Sequence, residues 1–144
     1  RLLRAVGHTG IDATARVNPG VFLGARAGLV MGPRAFINYD CFLDLGAPIT
    51  MGADAGLGYG TMLITCGHDL GPSNRRWGTA ANAPIHIGEG AWIGSRVTIL
   101  PGVTVGRGCV IASGAVVAAD CAPDGLYGGV PARRLRDLDP GGGG

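Results

Sequence analysis

His68 is the side chain in this sequence best suited to moving a proton. An imidazole accepts a proton near neutral pH and hands it on, so it can act as a general base on a hydroxyl. It stands in the stretch 64–84, Ile-Thr-Cys-Gly-His-Asp-Leu-Gly-Pro-Ser-Asn-Arg-Arg-Trp-Gly-Thr-Ala-Ala-Asn-Ala-Pro, which carries no periodicity of its own. A long structureless loop in a compact domain is usually functional, although a histidine on a plain surface loop is the simpler alternative. Asp44 offers a carboxylate that could orient an imidazole and stabilise its charged form, if the fold brings the two together. Otherwise it is a solvated corner. Cys66 lies two residues from His68 on one loop, poor geometry for an activated thiolate–imidazole pair. A catalytic zinc would need three imidazoles around an open position. The chain has only His8, His68 and His86, and His86 projects outward between Ile85 and Ile87, so no metal is expected.

Composition narrows the chemistry further. All twelve basic residues are Arg, which removes Schiff bases and lysine–phosphate contacts. A net charge of +2 lacks the basic footprint of a nucleic-acid binder. The 144 residues suit one domain, and with 47% hydrophobic but only 6% aromatic residues the core must be aliphatic. Glycine reaches 28 residues without a third-position rule, which excludes collagen. Cys41, Cys66, Cys109 and Cys121 form no C-x-x-C pair, so reduced thiols in a cytoplasmic protein are expected. No run approaches the roughly 18 apolar residues that span a bilayer, and no secretory h-region opens the sequence. The start at Arg1 and the glycines 141–144 are left out of the fold.

The elements that must hold His68 are announced by a repeat. Ile87, Ile93, Ile99, Val105, Ile111 and Val117 are spaced by six, and a second ladder runs two residues earlier through Ile85, Ala91, Val97, Val103, Cys109 and Ala115. A helix repeats at 3.6 and a plain strand at 2, so a strand-plus-turn unit is required. Three units close one triangular coil with the large aliphatic inward, a following glycine easing the corner, and coils stacked at about 4.8 Å. Upstream, Ile11, Val17 and Leu23, then Met31, Ile37 and Leu43, then Met51, Leu57 and Leu63 keep the step of six. Between sets the step is eight, and from Leu63 to Ile87 it is 24, so residues 64–84 are extruded at one corner. The count gives about five coils, roughly 24 Å of prism. Periodicity leaves the handedness open, and a left-handed coil runs against the usual crossover preference.

Several motifs carry a resemblance. Phe36-Ile37-Asn38-Tyr39-Asp40-Cys41-Phe42-Leu43-Asp44, Gly67-His68 followed by Arg75 and Arg76, Ala83-Pro84-Ile85-His86-Ile87-Gly88, Trp92-Ile93-Gly94-Ser95, Pro101-Gly102-Val103-Thr104-Val105-Gly106 and Gly128-Gly129-Val130-Pro131-Ala132-Arg133 resemble the hexapeptide-repeat O-acetyltransferases of the maltose, galactoside and nodulation-factor type. The likeness covers roughly residues 20 to 136. It implies an all-β, left-handed parallel β-helix and transfer of acetyl from acetyl-CoA to a hydroxyl of a sugar or other small molecule. His68 is then the base, and Asn38 and Asp44 bind the acceptor or orient it and the histidine. It implies a homotrimer with acetyl-CoA between two prisms, so Asn38 and His68 need not meet within one chain. A backbone N–H near Ser95 would hold the oxyanion. Trp92, outward on its coil, meets a partner subunit or the pantetheine arm, with ordinary surface packing as the alternative, while Gly94, Ser95, Ser113 and Gly114 approach the cofactor, Gly114 being otherwise a plain turn. Arg133, Arg134 and Arg136 fall on an expected short helix after Pro131, where Arg133 and Arg136 can fork onto CoA phosphates.

Three departures stand out. The stretch from Asn38 to Asp44 is shorter than the corresponding one in the galactoside and maltose members. Val117-Ala118-Ala119-Asp120 lacks the family's Thr-Lys pair, and the helical segment preceding the prism in sugar acetyltransferases is missing or cut to 1–6. The expected organisation is a lead-in over 1–10, the β-helix over 11–122 with its loop at 64–84, a strand and short helix over 123–137, and a tail over 138–144. A non-catalytic trimeric assembly module is the alternative, with a zinc carbonic anhydrase behind it.

Overall fold

The computed structural model describes residues 10–24 and 28–142. His8 and the rest of the lead-in before residue 10 lie outside the described residues, as do 143–144 of the expected tail. Along the chain, β1 (Gly10–Ile11), β2 (Arg16–Val17) and β3 (Phe22–Leu23) form one coil. The next is β4 (Leu29–Met31), β5 (Phe36–Ile37) and β6 (Phe42–Leu43), followed by β7 (Ile49–Met51), β8 (Gly56–Leu57) and β9 (Met62–Leu63). After the strands β10 (His68–Leu70) and β11 (Trp77–Ala80), coiling resumes with β12 (Ile85–Ile87), β13 (Trp92–Ile93) and β14 (Thr98–Ile99). Then come β15 (Thr104–Val105), β16 (Val110–Ile111), β17 (Val116–Val117), β18 (Gly125–Gly128) and β19 (Arg133–Asp137).

These strands make three parallel faces. The first is β1-β4-β7-β12-β15, the second runs from β2 through β5, β8, β13 and β16 to β18, and the third is β3-β6-β9-β14-β17. The hexad residues are the registers: Ile11, Met31, Met51, Ile87 and Val105 align down the first face. Val17, Ile37, Leu57, Ile93, Ile111 and Tyr127 align down the second, and Leu23, Leu43, Leu63, Ile99 and Val117 down the third. All are buried except Val17 and Leu23, which lie partly covered in the coil that has no described strand above it. The second ladder, Ile85 through Ala115, is buried as well, so each hexad points two side chains inward. Complete burial of each large aliphatic contributes about 1.5–3 kcal/mol, which short two-residue strands could not supply alone.

Glycine plays a different part from the one expected. The glycine directly after the large aliphatic has ordinary backbone angles; at Gly52 and Gly58 a Cβ would sit 2.6 Å from the backbone nitrogen of the next coil. Close coil approach, not corner geometry, demands it. The left-handed turn comes three residues after the aliphatic. It is taken by glycine at Gly20, Gly60, Gly90, Gly102, Gly108 and Gly114, and elsewhere by Asp40 (φ 58°), Asp54 (φ 57°) and even Arg34 (φ 57°) and Arg96 (φ 55°). Aspartate tolerates that region better than most residues, and Arg34 is held there by a bidentate pair of 2.7 and 2.6 Å onto Asp54.

The short C-terminal helix is corrected: no helix occurs among the described residues, and 133–137 is the strand β19, antiparallel to β18. Proline followed by a run of arginines reads locally as a helix start, but the last strand of the second face has an open edge to fill. A turn through Gly129 (φ 95°) folds the chain back along it. Arg134 fastens the return, donating to the Ala122 carbonyl and the Tyr127 hydroxyl at 3.0 Å each and to Asp137 at 2.8 Å.

Candidate functional site

The corner joining the third face to the first carries residues 64–84, and the expected structureless loop is an ordered hairpin. β10 and β11 pair antiparallel, with His68 opposite Ala80 and Leu70 opposite Trp77. Neither strand buries an apolar row, so nothing in its sequence alternates. The hairpin is fastened at its base. Backbone bonds join Ala81 to Gly67 at 2.8 Å and Ala83 to Thr65 at 2.9 Å, and Asn82 donates to the Gly46 carbonyl at 3.2 Å.

His68 is exposed on β10, and its Nδ1 lies 3.0 Å from the Gly78 carbonyl on β11. A carbonyl only accepts, so in the neutral ring Nδ1 carries the hydrogen and Nε2 keeps its lone pair. Trp77 meets the ring edge-on at 5.9 Å between centroids, and the Arg75 guanidinium covers Trp77 at 4.0 Å. Gly78 thus does the orienting that Asp44 was expected to do.

Asp44 holds the start of the hairpin instead. Its carboxylate accepts from the backbone N–H of Thr65 at 2.9 Å, from that of Cys66 at 2.9 Å, and from the Thr65 hydroxyl. Burial pushes its carboxyl up, but the hydrogen bonds from Thr65 and Cys66 outweigh burial and keep it below its ordinary value.

Asn38 lies on another corner, between the second and third faces. Its side-chain oxygen accepts from Asn18 at 3.1 Å and from the Tyr39 N–H at 3.0 Å, and the residue is half-buried. Within one chain, the full width of the third face separates it from the His68 corner. Ser95 and Ser113 follow Asn38's corner along the prism. The N–H groups of Gly94, Ser95 and Arg96 are all engaged, by Ile111 O at 2.8 Å, Ser113 Oγ at 3.1 Å and Tyr59 O at 2.8 Å. The expected oxyanion donor at Ser95 is therefore already used by the Ser113 hydroxyl, which the hexad pattern does not reveal. The Gly114 N–H likewise goes to the Ser95 carbonyl, 2.9 Å away.

Trp92 projects from the second face, 63% exposed, with Gly56 and Val110 as its neighbours in register. Arg133 and Arg136 are exposed on β19, whereas Arg134 is committed to the fold. Asp120 accepts from the Thr104 N–H at 2.8 Å. No three His, Cys, Asp or Glu side chains converge as a metal site among the described residues, and His86 projects outward from β12. Burial pushes the Cys41 thiol up and that of Cys121 up to about 12, while Cys66 is exposed beside Asp44. No helix among the described residues is long and apolar enough to cross a membrane. Sequence reasoning missed Trp77, Gly78 and Asn82, whose parts exist only once the hairpin closes.

Residues 84–119 match the family model described as bacterial transferase hexapeptide (six repeats). A Schizosaccharomyces pombe relative, named only provisionally as an acetyltransferase, is 43% identical over 109 residues, 75% of this chain and 52% of its own. The galactoside O-acetyltransferase of Escherichia coli K12 is 30% identical over 129 residues, 90% of this chain and 64% of its own. A hexapeptide-repeat acetyltransferase from Vibrio cholerae O1 biovar eltor, solved with acetyl coenzyme A, superposes with a TM-score of 0.87 at 35% identity, covering 96% of this chain and 75% of that one. The chain spans about half the length of the first curated relatives it matches.

Proposed function

Because this chain belongs to the hexapeptide-repeat acetyltransferase family, we propose that it transfers an acetyl group from acetyl-CoA to a hydroxyl of a sugar or other small hydroxylated molecule. One observation carries the reading: His68 is fixed by Gly78 on a fastened hairpin with Nε2 left to accept a proton. The acceptor oxygen attacks the thioester carbonyl carbon as Nε2 takes its proton. The tetrahedral adduct then breaks its C–S bond, and the imidazolium returns the proton to the departing thiolate of CoA. Asp44 acts as a positioning residue, keeping the start of the hairpin in register with the coil below. Asn38 holds the acceptor. Trp92 and the small residues Gly94, Ser95, Ser113 and Gly114 border the acetyl-CoA arm, and Arg133 and Arg136 take its phosphates.

The separation of Asn38 and His68 on two corners supports a homotrimer in which each site joins the hairpin of one copy to the Asn38 corner of the next. The buried thiols Cys41, Cys109 and Cys121, outside any disulfide, suit a reducing, cytoplasmic setting. The test is thiol release from acetyl-CoA against a panel of hydroxylated acceptors, wild type beside His68→Ala. Acceptor-dependent turnover that collapses in the variant supports the reading; intact turnover removes His68 as the base. The shared site has its own test. Inactive His68→Ala and Asn38→Ala proteins, unfolded and refolded together, regain about a quarter of wild-type activity if each site draws on two copies. Sites built within one chain regain none.

A further inference from the structure

Two tryptophans stand on the surface of the described chain, almost equally exposed, yet their surroundings differ. Among the described residues Trp92 has no ring partner and no cation over it. Trp77 has both: the His68 ring, standing at 80° to it, and the Arg75 guanidinium over its face.

Regular pairing would not bring Trp77 to His68. With His68 opposite Ala80, an unbroken antiparallel register sets Trp77 opposite Gly71, three places along from His68. Side chains alternate along a strand, so Trp77 would then face the far side of the hairpin. The register is broken instead: between the two pairs β11 carries one more residue than β10, and Trp77 comes opposite Leu70. That extra residue turns Trp77 onto the face that holds His68, diagonal to it and within reach of a large ring. Gly78 permits the bulge, because a Cβ there would lie 2.7 Å from the Asp69 carbonyl oxygen. The irregularity that aims the Gly78 carbonyl at Nδ1 therefore also delivers the indole.

The bond to Gly78 leaves one freedom. It fixes the place of Nδ1, but the ring can still swing about that contact, since the outer torsion of histidine has broad wells. Such a swing carries Nε2, on the far side of the ring, off its line to a substrate. The indole is the second restraint, and the cation on its face keeps an exposed indole from drifting between rotamers. Among the described residues Arg75 has no carboxylate partner, whereas Arg76 reaches back to the Gly71 carbonyl at 3.2 Å and closes the hairpin.

We propose that Trp77, steadied by Arg75, is a positioning residue that fixes the plane of the His68 imidazole and with it the direction of Nε2. The inference rests on the reading of His68 as the base and adds what holds that base in line.

Trp77→Ala, Trp77→Phe and Arg75→Gln are made in the full chain and assayed by thiol release, with a methyl pyranoside as acceptor. Thermal unfolding checks that each is folded. Trp77→Ala lowers kcat about tenfold, while the KM values for acetyl-CoA and the pyranoside stay within about twofold. Trp77→Phe, which keeps a ring, recovers most of the loss, and Arg75→Gln costs about threefold. An unchanged kcat, a loss carried by either KM, or a Phe variant no better than Ala overturns the proposal.

Carbon-13 relaxation of the His68 ring decides the positioning without turnover. The chain has three histidines, so the His68 signals are assigned by their absence in His68→Ala. The ring is ordered in wild type and Trp77→Phe and mobile in Trp77→Ala, with hydrogen exchange at the hairpin amides of Gly71 and Ala81 unchanged. Equal ring order in wild type and Trp77→Ala, or faster exchange at both amides, refutes it. Failure of the acetyl-transfer reading looks different: no protein turns over, yet Trp77→Ala still frees the ring, which upholds the positioning and removes the reaction.

Discussion

Two corners of the prism obey different rules. At the Asn38 corner every described coil turns in the same number of residues, and Asn38, Tyr39, Tyr59, Ser95 and Ser113 form a column placed by register alone. At the His68 corner the chain leaves the prism, builds a hairpin with no buried row, and is held by side-chain hydrogen bonds at its base. The first corner takes its geometry from the core beneath it. The second has to be fastened, by Asp44, Thr65 and Asn82. A repeat can supply an exact backdrop, but the proposed base stands where the repeat is interrupted.

That contrast can be broken most forcefully at His68. For the base proposed there, His68→Ala is expected to lower kcat by about 10²–10⁴-fold with little change in the global unfolding midpoint, because the ring touches only Trp77 and Gly78 on the exposed hairpin and lies outside the buried core. Ile93→Ala does the reverse in kind: it opens a void in a fully buried column and lowers stability by about 2–5 kcal/mol in denaturant titration. Asp44→Asn comes third. It loses acceptors for the Thr65 and Cys66 donors at a cost of about 1–3 kcal/mol, felt at the hairpin base rather than in global unfolding. Faster hydrogen exchange at the Thr65 and Cys66 amides, with core amides unmoved, is the expected readout.

Asp44 also gives the hairpin a pH dependence. Its folded-state pKa lies below its ordinary value, so its stabilising contribution is fully present above the ordinary carboxylate range and is lost as pH falls through the folded value. Exchange at the hairpin base should therefore quicken under acid in wild type and be flat over the same range in Asp44→Asn. Equal acid responses in the two proteins would show that Asp44 does not fasten the hairpin.

The prism was legible because burial imposes the same demand every six residues, so columns such as Ile37, Leu57 and Ile93 announce themselves without any neighbour in view. The hairpin was legible only as an interruption. Its strands are exposed, and what closes them, Asn82 onto Gly46 and Asp44 onto Thr65, joins residues with no shared pattern. The strand at 133–137 was misread because its cause is remote: an unfilled sheet edge, not the Pro131 and arginines that precede and compose it. The engaged Ser95 N–H was hidden because Ser113 lies one coil away.

The uniform coil has a consequence for how such a chain can change. Each hexad advances the path by a third of a revolution, so a deletion of six residues would rotate everything downstream onto the wrong side of the prism. Only whole revolutions preserve phase. Within the coiled part, then, length is a discrete variable, and the span between two points along one corner can be reset only in steps of about 4.8 Å. Continuous adjustment is left to the hairpin, where the chain steps outside the screw, and there any number of residues can be added without turning the rest.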